Sequence, residues 1–188
     1  MSVEARVQEL LAAGDAHGAA TEAMRGLGPK VLGYLRTILR DEADAGDAFS
    51  AFAENLWRGI GTYRGEASFR TWAFKIAWHA ALNVRNEAWN RLGRRLETGE
   101  ASRLAEEIRT KTGVREERQR TALDALREEL TAEEQTLLVL RIDQQLPWED
   151  VAAVLAGEGS PLDAPALRKR FERLKDRLAK LARERGLA

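Results

Sequence analysis

The chain of 188 residues contains no cysteine and no apolar run of the roughly 18 residues that a membrane span needs. Without cysteine, neither a disulfide nor a thiolate metal cluster can form, which fits a reducing cytosol. The first ten residues, MSVEARVQEL, carry acids where a signal peptide needs a basic and then an apolar stretch. The sequence therefore predicts a cytoplasmic protein with no membrane insertion.

Groups that catalyse reactions or bind metals are also scarce. The two histidines are His17 and His79, and neither a glycine-rich phosphate loop nor a pair of metal ligands stands out. His79 has no second ligand one helical turn away. We therefore predict no catalytic residue, no metal and no cofactor. A hydrolase or transferase built on a helical bundle is the least supported functional class, because no pair of nucleophile and base can be named.

Strand signals are nearly absent, since alternating β-branched runs are missing and Ala, Leu, Glu and Arg dominate. The fold class is therefore predicted as all-α. We expect one helix over residues 2 to 13, a second over about 18 to 26, and a third that begins at Pro29 and runs through Leu39. Further helix starts are predicted at Asp44 or Asp47, at Ser68, at a Thr131 and Glu134 capping box, and at Asp163 with Pro165 in the first turn.

The stretch from Ser68 to Trp89 has two occupied faces on a helical wheel. Its core stripe consists of Phe69, Trp72, Ala73, Ile76, Ala77, Ala80 and Val84. The opposite side carries Phe74, Trp78, Arg85 and Trp89, and the flank carries Lys75, His79, Leu82 and Asn86. This helix is therefore either enclosed all round, as in a bundle, or it holds aromatic and basic side chains out for a nucleic acid.

The net charge is zero, but acids and bases alternate in blocks along the chain. Residues 41 to 57 hold five acids and no base, and residues 64 to 95 hold seven bases against two acids. Residues 124 to 150 then hold eight acids and two bases, and residues 168 to 185 hold nine bases and three acids. Two modules that each have a basic face for a phosphate polymer would explain this pattern, although solvated helix faces can also produce it.

We predict two small helical domains, residues 1 to 91 and 120 to 188, joined by a flexible linker over residues 92 to 119. Bulky residues thin out in the linker, and a helical turn or two is expected around Leu104 to Ile108. At roughly 3.4 Å per extended residue, the linker is long enough that the domains need not touch. In the second domain a short helix, WEDVAAVLAG, precedes a long basic one, which is the order of a helix-turn-helix.

Three segments carry a family resemblance: DAGDAFSAFAENLW, SFRTWAFKIAWHAALNVRN, and the pair WEDVAAVLA and PALRKRFERLKDRL. In this order they resemble the sigma-70 family of RNA polymerase sigma factors, of the extracytoplasmic-function (ECF) type. The first is similar to the acidic-start helix of the sigma-two domain. The second is similar to its promoter-melting and minus-ten-reading helix, and the pair is similar to the minus-thirty-five helix-turn-helix of the sigma-four domain.

The resemblance implies a transcription initiation factor that binds core RNA polymerase and directs it to two-part promoter DNA. It favours presentation of the Ser68 to Trp89 helix to DNA, and it leaves open an anti-sigma factor as a further partner. The implied core-polymerase contacts are Asp44, Asp47, Ser50, Glu54 and Asn55. The implied minus-ten contacts are Tyr63, Arg64, Phe69, Lys75, Trp78, His79 and Asn83, and the first three would receive a flipped base. The implied minus-thirty-five contacts are Arg168, Lys169 and Arg173.

The sequence departs from the family pattern at a few of these positions. Gly46 replaces an acid, Ser50 a glutamine, and Trp78 and His79 an arginine and an asparagine, which bears on base preference more than on the fold. The alternative function is a polymerase-independent helix-turn-helix transcriptional regulator. That alternative predicts tight, sequence-specific DNA binding by the isolated protein, whereas a sigma factor would bind DNA weakly until core polymerase is added.

Overall fold

The computed structural model describes residues 2–86, 101, 103–109, 126, 129–156 and 162–185. Every regular element in these ranges is helical, which confirms the all-α prediction. None of these helices is long and apolar enough to span a membrane. The chain divides into two units, residues 1–115 and residues 116–188, and each is described by itself.

Unit one contains a short helix at residues 103–109, and between residues 3 and 86 it is built from four helices and a short 3-10 turn. The helices are α1 (Val3–Ala12), α2 (Ala16–Leu39), α3 (Glu42–Gly59) and α4 (Phe69–Asn86), and the turn is Ile60–Thr62 between α3 and α4. Ser2 caps α1 and Asp15 caps α2, because their side chains accept the N–H groups of Ala5 and Gly18 at 3.2 and 2.7 Å. The predicted opening helix is confirmed.

Helix α2 runs unbroken through Pro29, so the predicted break between residues 26 and 29 is wrong. A proline inside a helix removes one hydrogen bond and crowds the carbonyl four residues earlier, at a cost of about 3 kcal/mol. The apolar stripe is buried on both sides of Pro29, from Ala19 to Leu27 and from Val31 to Ile38. Burial of one large aliphatic side chain contributes about 1.5–3 kcal/mol. Packing of this stripe therefore outweighs the cost of the proline.

Helix α3 is capped by Asp41 rather than by Asp44 or Asp47, so that prediction is wrong. Arg40 ends α2 in the left-handed conformation, with a φ of 59°, and the chain reverses within two residues. Asp41 is then the first carboxylate on extended backbone, and its Oδ1 accepts the N–H of Asp44 at 2.8 Å. Asp44 lies in the first turn of α3, and Asp47 is exposed about one turn later.

Helix α4 lies against both α2 and α3, which encloses the side that we expected to face a partner. Phe74 is fully buried, and its ring contacts that of Tyr34 edge-on, with the ring centroids 5.4 Å apart. Trp78 is 5% exposed. Of the two alternatives for this side of α4, the structure shows the enclosed one, with Phe74 and Trp78 both buried. A helix packed by two neighbours buries a wider arc than one stripe, and a helical wheel does not show how many neighbours a helix has.

The described part of the predicted linker is a helix that packs within unit one. Residues 103–109, hereafter the docked helix, are helical, and Ala105 and Ile108 share a buried face with Ala101 one turn before. A Cβ built on Gly28 would lie 2.6 Å from Cδ1 of Ile108, so α2 leaves a space that Ile108 fills. These residues are therefore not a free tether.

The first helix of unit two whose two ends are described is α5 (Ala132–Leu138), where the predicted capping box is present. Oγ1 of Thr131 accepts the N–H of Glu134 at 3.2 Å, and Oε2 of Glu134 accepts the N–H of Thr131 at 2.9 Å. A π-helical turn, Val139–Asp143, extends α5, and α6 (Trp148–Leu155) and α7 (Ala164–Glu184) follow.

Helix α7 begins where the sequence predicted. Asp163 occupies its N-cap position and Pro165 lies in the first turn, although the Asp163 side chain makes no capping hydrogen bond. In the described part of unit two, α5, the π-helical turn, α6 and α7 pack together through the buried side chains of Leu137, Leu140, Val151, Leu155, Leu167, Phe171 and Leu174. The order of α6 and α7, short helix before long basic helix, is that of a helix-turn-helix.

Candidate functional site

Three rings meet where the loop after α3 enters α4. We call Tyr63, Phe69 and Trp72 the aromatic cluster. The Tyr63 centroid lies 5.2 Å from that of Phe69 and 5.5 Å from that of Trp72, and the Phe69 and Trp72 centroids are 5.4 Å apart. Phe69 is 1% exposed, whereas Tyr63 and Trp72 each keep part of their surface accessible. The cluster therefore has two partly accessible rings, Tyr63 and Trp72, packed against the buried ring of Phe69.

The loop is held in shape by local hydrogen bonds. Gly65 has a φ of +75°, which glycine adopts without a steric penalty, and the loop turns there. The Tyr63 hydroxyl donates to the carbonyl of Ala67 at 2.7 Å. The Ser68 Oγ accepts the N–H of Thr71 at 3.0 Å, which confirms the predicted cap of α4. These contacts fix the loop before it reaches the helix.

The Tyr63 phenol is protonated at neutral pH and acts as a hydrogen-bond donor. Burial raises its pKa above the usual 10.0, and the negative charge of Glu4 adds to the rise, while a hydrogen bond with Gln8 acts in the opposite direction. A neutral phenol ring can lie beside a base without the repulsion that a phenolate would exert on a phosphate. Arg64, next to it, is exposed.

A line of polar side chains continues along α4 from the aromatic cluster. Lys75, His79 and Asn83 are spaced four residues apart, so they lie above one another on one helical face. Lys75 and Asn83 are exposed and His79 is half-buried. The structure therefore brings these three predicted residues to one accessible strip.

Burial separates the predicted minus-ten residues into two groups. Tyr63, Arg64 and the polar line have accessible surface, whereas Phe69 and Trp78 do not. Direct contact of Phe69 or Trp78 with DNA is therefore at odds with the structure. Sequence reasoning missed Trp72 as an accessible ring, because the wheel placed it in the core stripe.

The predicted core-polymerase contacts lie on one side of α3: Asp44, Asp47, Ser50, Glu54 and Asn55. All of them except Glu54 are exposed or half-buried. Glu54 is 8% exposed, and its Oε1 lies 2.8 Å from Nε of Arg58. A carboxylate that is buried in an ion pair has little surface for a partner, so direct contact through Glu54 is at odds with its burial.

Gly46 borders this side of α3 and faces the docked helix. A Cβ built on Gly46 would lie 2.7 Å from Nη2 of Arg109. An acidic side chain at this position, as the family resemblance leads one to expect, would occupy the space where the Arg109 guanidinium lies. The absence of a side chain at residue 46 therefore accompanies the packing of the docked helix. No local signal in the sequence connects these two residues.

In unit two, the predicted minus-thirty-five contacts lie on the surface of α7. Arg168, Lys169 and Arg173 are all exposed, and the Arg168 guanidinium lies 5.9 Å from the centroid of the Trp148 ring. Trp148 in turn contacts Phe171 edge-on, with ring centroids 5.4 Å apart. Lys169 and Arg173 are one helical turn apart, and neither forms an ion pair with another residue in the described part of the chain.

Two other arginines of α7 are neutralised by α5. Nη1 of Arg170 lies 2.6 Å from Oε1 of Glu133, and Nη2 of Arg177 lies 2.8 Å from Oε2 of Glu134. The basic block at the C-terminal end of the chain is therefore not one uniform surface. Its internal ion pairs face α5, whereas Lys169 and Arg173 are exposed and form no ion pair within the described residues.

Comparison with known proteins places the chain in a family. The Sigma-70 region 2 profile matches residues 23–91, a span that begins in α2 and includes α3, the aromatic cluster and α4. Over 163 residues the chain is 31% identical to RNA polymerase sigma factor YlaC of Bacillus subtilis (strain 168), and this match covers 82% of the chain and 89% of that protein.

Sigma factors are transcription initiation factors rather than enzymes, and they work with core RNA polymerase and promoter DNA. The long match to a sigma factor, together with the region 2 helices and a second helical unit that ends in a basic helix, shows that this chain belongs to the sigma-70 family of RNA polymerase sigma factors, of the ECF type.

Proposed function

We propose that unit one melts the minus-ten element of a promoter while unit two reads the minus-thirty-five element, so that core polymerase is directed to two-part promoters. The observation that carries this proposal is the aromatic cluster at the start of α4, followed on the same helix by an accessible polar line. Rings and basic groups in this arrangement suit a single strand whose bases stack and whose phosphates pair with cations.

The aromatic cluster would receive a base that has left the duplex. Unstacking a base costs a few kcal/mol, and stacking it on an aromatic ring returns about 1–3 kcal/mol. Tyr63 and Trp72 provide the accessible rings, Phe69 supports them from the protein side, and Arg64 supplies a cation for the neighbouring phosphate. The cluster tips the balance towards melting once polymerase holds the flanking duplex.

The polar line of α4 would contact the duplex edge of the minus-ten element. Lys75 is suited to a phosphate, whereas the ring nitrogens of His79 and the amide of Asn83 can hydrogen-bond with base edges. Trp78, on the same helix, is buried in the core of unit one and would hold this line in place. The resemblance had implied a direct contact of Trp78 with DNA.

Unit two would enter the major groove with the N-terminal half of α7, as the second helix of a helix-turn-helix does. Arg168 can contact a guanine edge bidentately, and Lys169 and Arg173 can pair with phosphates. On α3, the accessible residues Asp44, Asp47, Ser50 and Asn55 would bind core polymerase. Glu54 would act indirectly, by holding Arg58.

Transcription with purified core polymerase on a genomic promoter library tests the proposal. Addition of the protein should yield transcripts from a defined promoter set, and these promoters should share two elements. Transcription no greater than with core alone would overturn it. 2-Aminopurine at successive minus-ten positions should become fluorescent where the base is flipped out, which locates melting directly.

The polymerase-independent regulator is the alternative, and DNA binding separates it from the sigma factor role. Mobility shifts on the recovered promoters should show weak binding by the protein alone and tight binding when core is added. Equally tight binding without core would favour the regulator. A tagged full-length chain retrieved from lysate should bring the polymerase subunits with it. A co-purifying protein that blocks transcription would be a candidate anti-sigma factor.

A further inference from the structure

Helix α1 contacts the start of α4, although it lies before the residues that the family profile matches. Oε1 of Glu4 accepts the backbone N–H of Phe69 at 2.9 Å, between residues 65 positions apart in the sequence. One turn further along α1, Gln8 hydrogen-bonds with the Tyr63 hydroxyl. The negative charge of Glu4 also raises the pKa of that hydroxyl. Two side chains of α1 thus reach both the loop and the first residue of α4.

The position of α1 is itself fixed by packing against α2. Val7 is fully buried, and a Cβ built on Gly26 would lie 2.4 Å from Cγ2 of Val3, so the two helix backbones approach closely at this point. Arg6 and Glu9 pair with each other on the exposed side, at 2.7 Å. The packing of α1 against α2 therefore fixes the position from which the Glu4 carboxylate reaches α4.

The N–H of Phe69 is one of the four amide groups at the start of α4 that have no partner inside the helix. Ser68 supplies a local acceptor for the N–H of Thr71, and Glu4 supplies a distant one for that of Phe69. A carboxylate at a helix N-terminus is also favoured by the helix dipole. Phe69 and Trp72 belong to this first turn, so its geometry sets where their rings lie.

We propose that Glu4 is a positioning residue for the base-receiving loop, which ties the first turn of α4 to α1 and thereby aligns the aromatic cluster for a flipped base. This inference rests on the proposed melting function of unit one. It assigns to α1 a part in promoter opening, and it does not make Glu4 a contact of DNA.

The test follows 2-aminopurine fluorescence during open-complex formation by the full-length protein with core polymerase, on a two-part promoter recovered by transcription. Glu4→Ala should slow opening by about 10- to 150-fold, the range expected for loss of one hydrogen bond to a charged group. Glu4→Gln keeps an oxygen acceptor and should open at nearly the wild-type rate. Glu9→Ala, which changes the same residue type on the exposed side of α1, should have no effect.

Each outcome decides the proposal. Slow opening by Glu4→Ala with unchanged initial promoter binding, rescued by Glu4→Gln, supports it. Opening at the wild-type rate by Glu4→Ala overturns it and leaves the melting function intact. Equal losses of opening, initial binding and thermal stability show a purely structural role and also overturn it. If the wild-type protein gives no fluorescence rise, the proposed melting function fails, and this inference fails with it.

Discussion

The ring of Tyr63 lies 5.5 Å from the ring of Trp72 at an interplanar angle of 46°, and both residues keep accessible surface. The third ring of the cluster, Phe69, is buried beside both of them. Tyr63 lies in the loop and Trp72 in the first turn of α4, so the distance between the two rings depends on how the loop is held against the helix. Substitutions of Tyr63 and Trp72 therefore test the proposed melting function most directly.

Tyr63→Ala should slow open-complex formation by about 5- to 150-fold, because base stacking on an aromatic ring contributes about 1–3 kcal/mol. Tyr63→Phe keeps the ring but removes the hydroxyl that donates to Ala67, so its effect should be no more than about fivefold. Stopped-flow 2-aminopurine fluorescence measures both rates. If the two variants opened equally slowly, the hydroxyl rather than the ring would be the important group.

Trp78→Ala should act on folding rather than on DNA contact, because the side chain is buried between helices. Truncation of a buried tryptophan costs about 3–5 kcal/mol, which urea denaturation of the full-length chain measures. Lys75→Ala, one turn earlier on the exposed strip, should change the free energy of unfolding by less than about 0.5 kcal/mol. A Trp78→Ala variant of wild-type stability with defective opening would restore a direct role for this ring.

Arg173→Ala should weaken promoter binding by the holoenzyme and reduce its dependence on salt. Each phosphate contact contributes about 0.9 to the slope of log K against log salt concentration. Arg170→Ala is the matched control, since Arg170 is already paired with Glu133. It should leave the slope nearly unchanged. If the salt slope fell in Arg170→Ala and not in Arg173→Ala, then Arg170 rather than Arg173 would be the residue that contacts phosphate.

Acid should remove a contribution of Glu134 to the stability of unit two. Partial burial by itself would raise the pKa of Glu134. Hydrogen bonds with Arg177 and Thr131, together with the charge of Arg177, lower this pKa by more than burial raises it, so the net pKa lies below the usual 4.5. A carboxyl whose pKa is lowered by folding stabilises the protein above its unfolded pKa, and this contribution is lost as the pH falls through the folded value.

Urea denaturation of wild type and Glu134→Gln at several pH values checks this expectation. The variant should be less stable than wild type at pH 7, and the difference should shrink as the pH falls from about 4.5. Glutamine keeps an oxygen that can accept the Thr131 N–H, so the comparison isolates the charge. A difference that stays constant down to pH 3 would contradict the lowered pKa.

The contact between Gly28 and Ile108 should appear as a change of sign in a double-mutant cycle. Gly28→Ala gains about 1 kcal/mol of helix propensity but crowds Cδ1 of Ile108, and overpacking costs about 1–3 kcal/mol. Alone it should be neutral or destabilising. In the background of Ile108→Val, which removes Cδ1, the same change should stabilise by about 1 kcal/mol. Additive effects of the two substitutions would show that the docked helix does not rest on Gly28.

The features that could be predicted from the sequence depend on neighbours within a few residues. Ser68 as the cap of α4 and the Thr131 and Glu134 capping box each involve atoms three residues apart. The accessible line of α4 also follows from helical spacing alone. The family resemblance added the order of the functional segments, which periodicity does not contain.

The features that were missed depend on contacts between distant parts of the chain. Helix α2 continues through Pro29 because its buried stripe packs on both sides, and Trp78 is covered because α4 has two neighbouring helices. The hydrogen bond from Phe69 to Glu4 has no local signal at either residue. A helical wheel describes one helix, and these errors come from the helices around it.

The docked helix has a consequence for how sigma factors of this kind are divided and recombined. The family profile ends at residue 91, whereas unit one extends to residue 115. A fragment or chimera that is cut at the end of the profile would lose Ile108 and expose the apolar groove beside Gly28 and Phe49 to water. Such fragments should aggregate more readily than fragments cut near residue 115. The unit that can be exchanged between proteins is therefore longer than the region by which it is recognised.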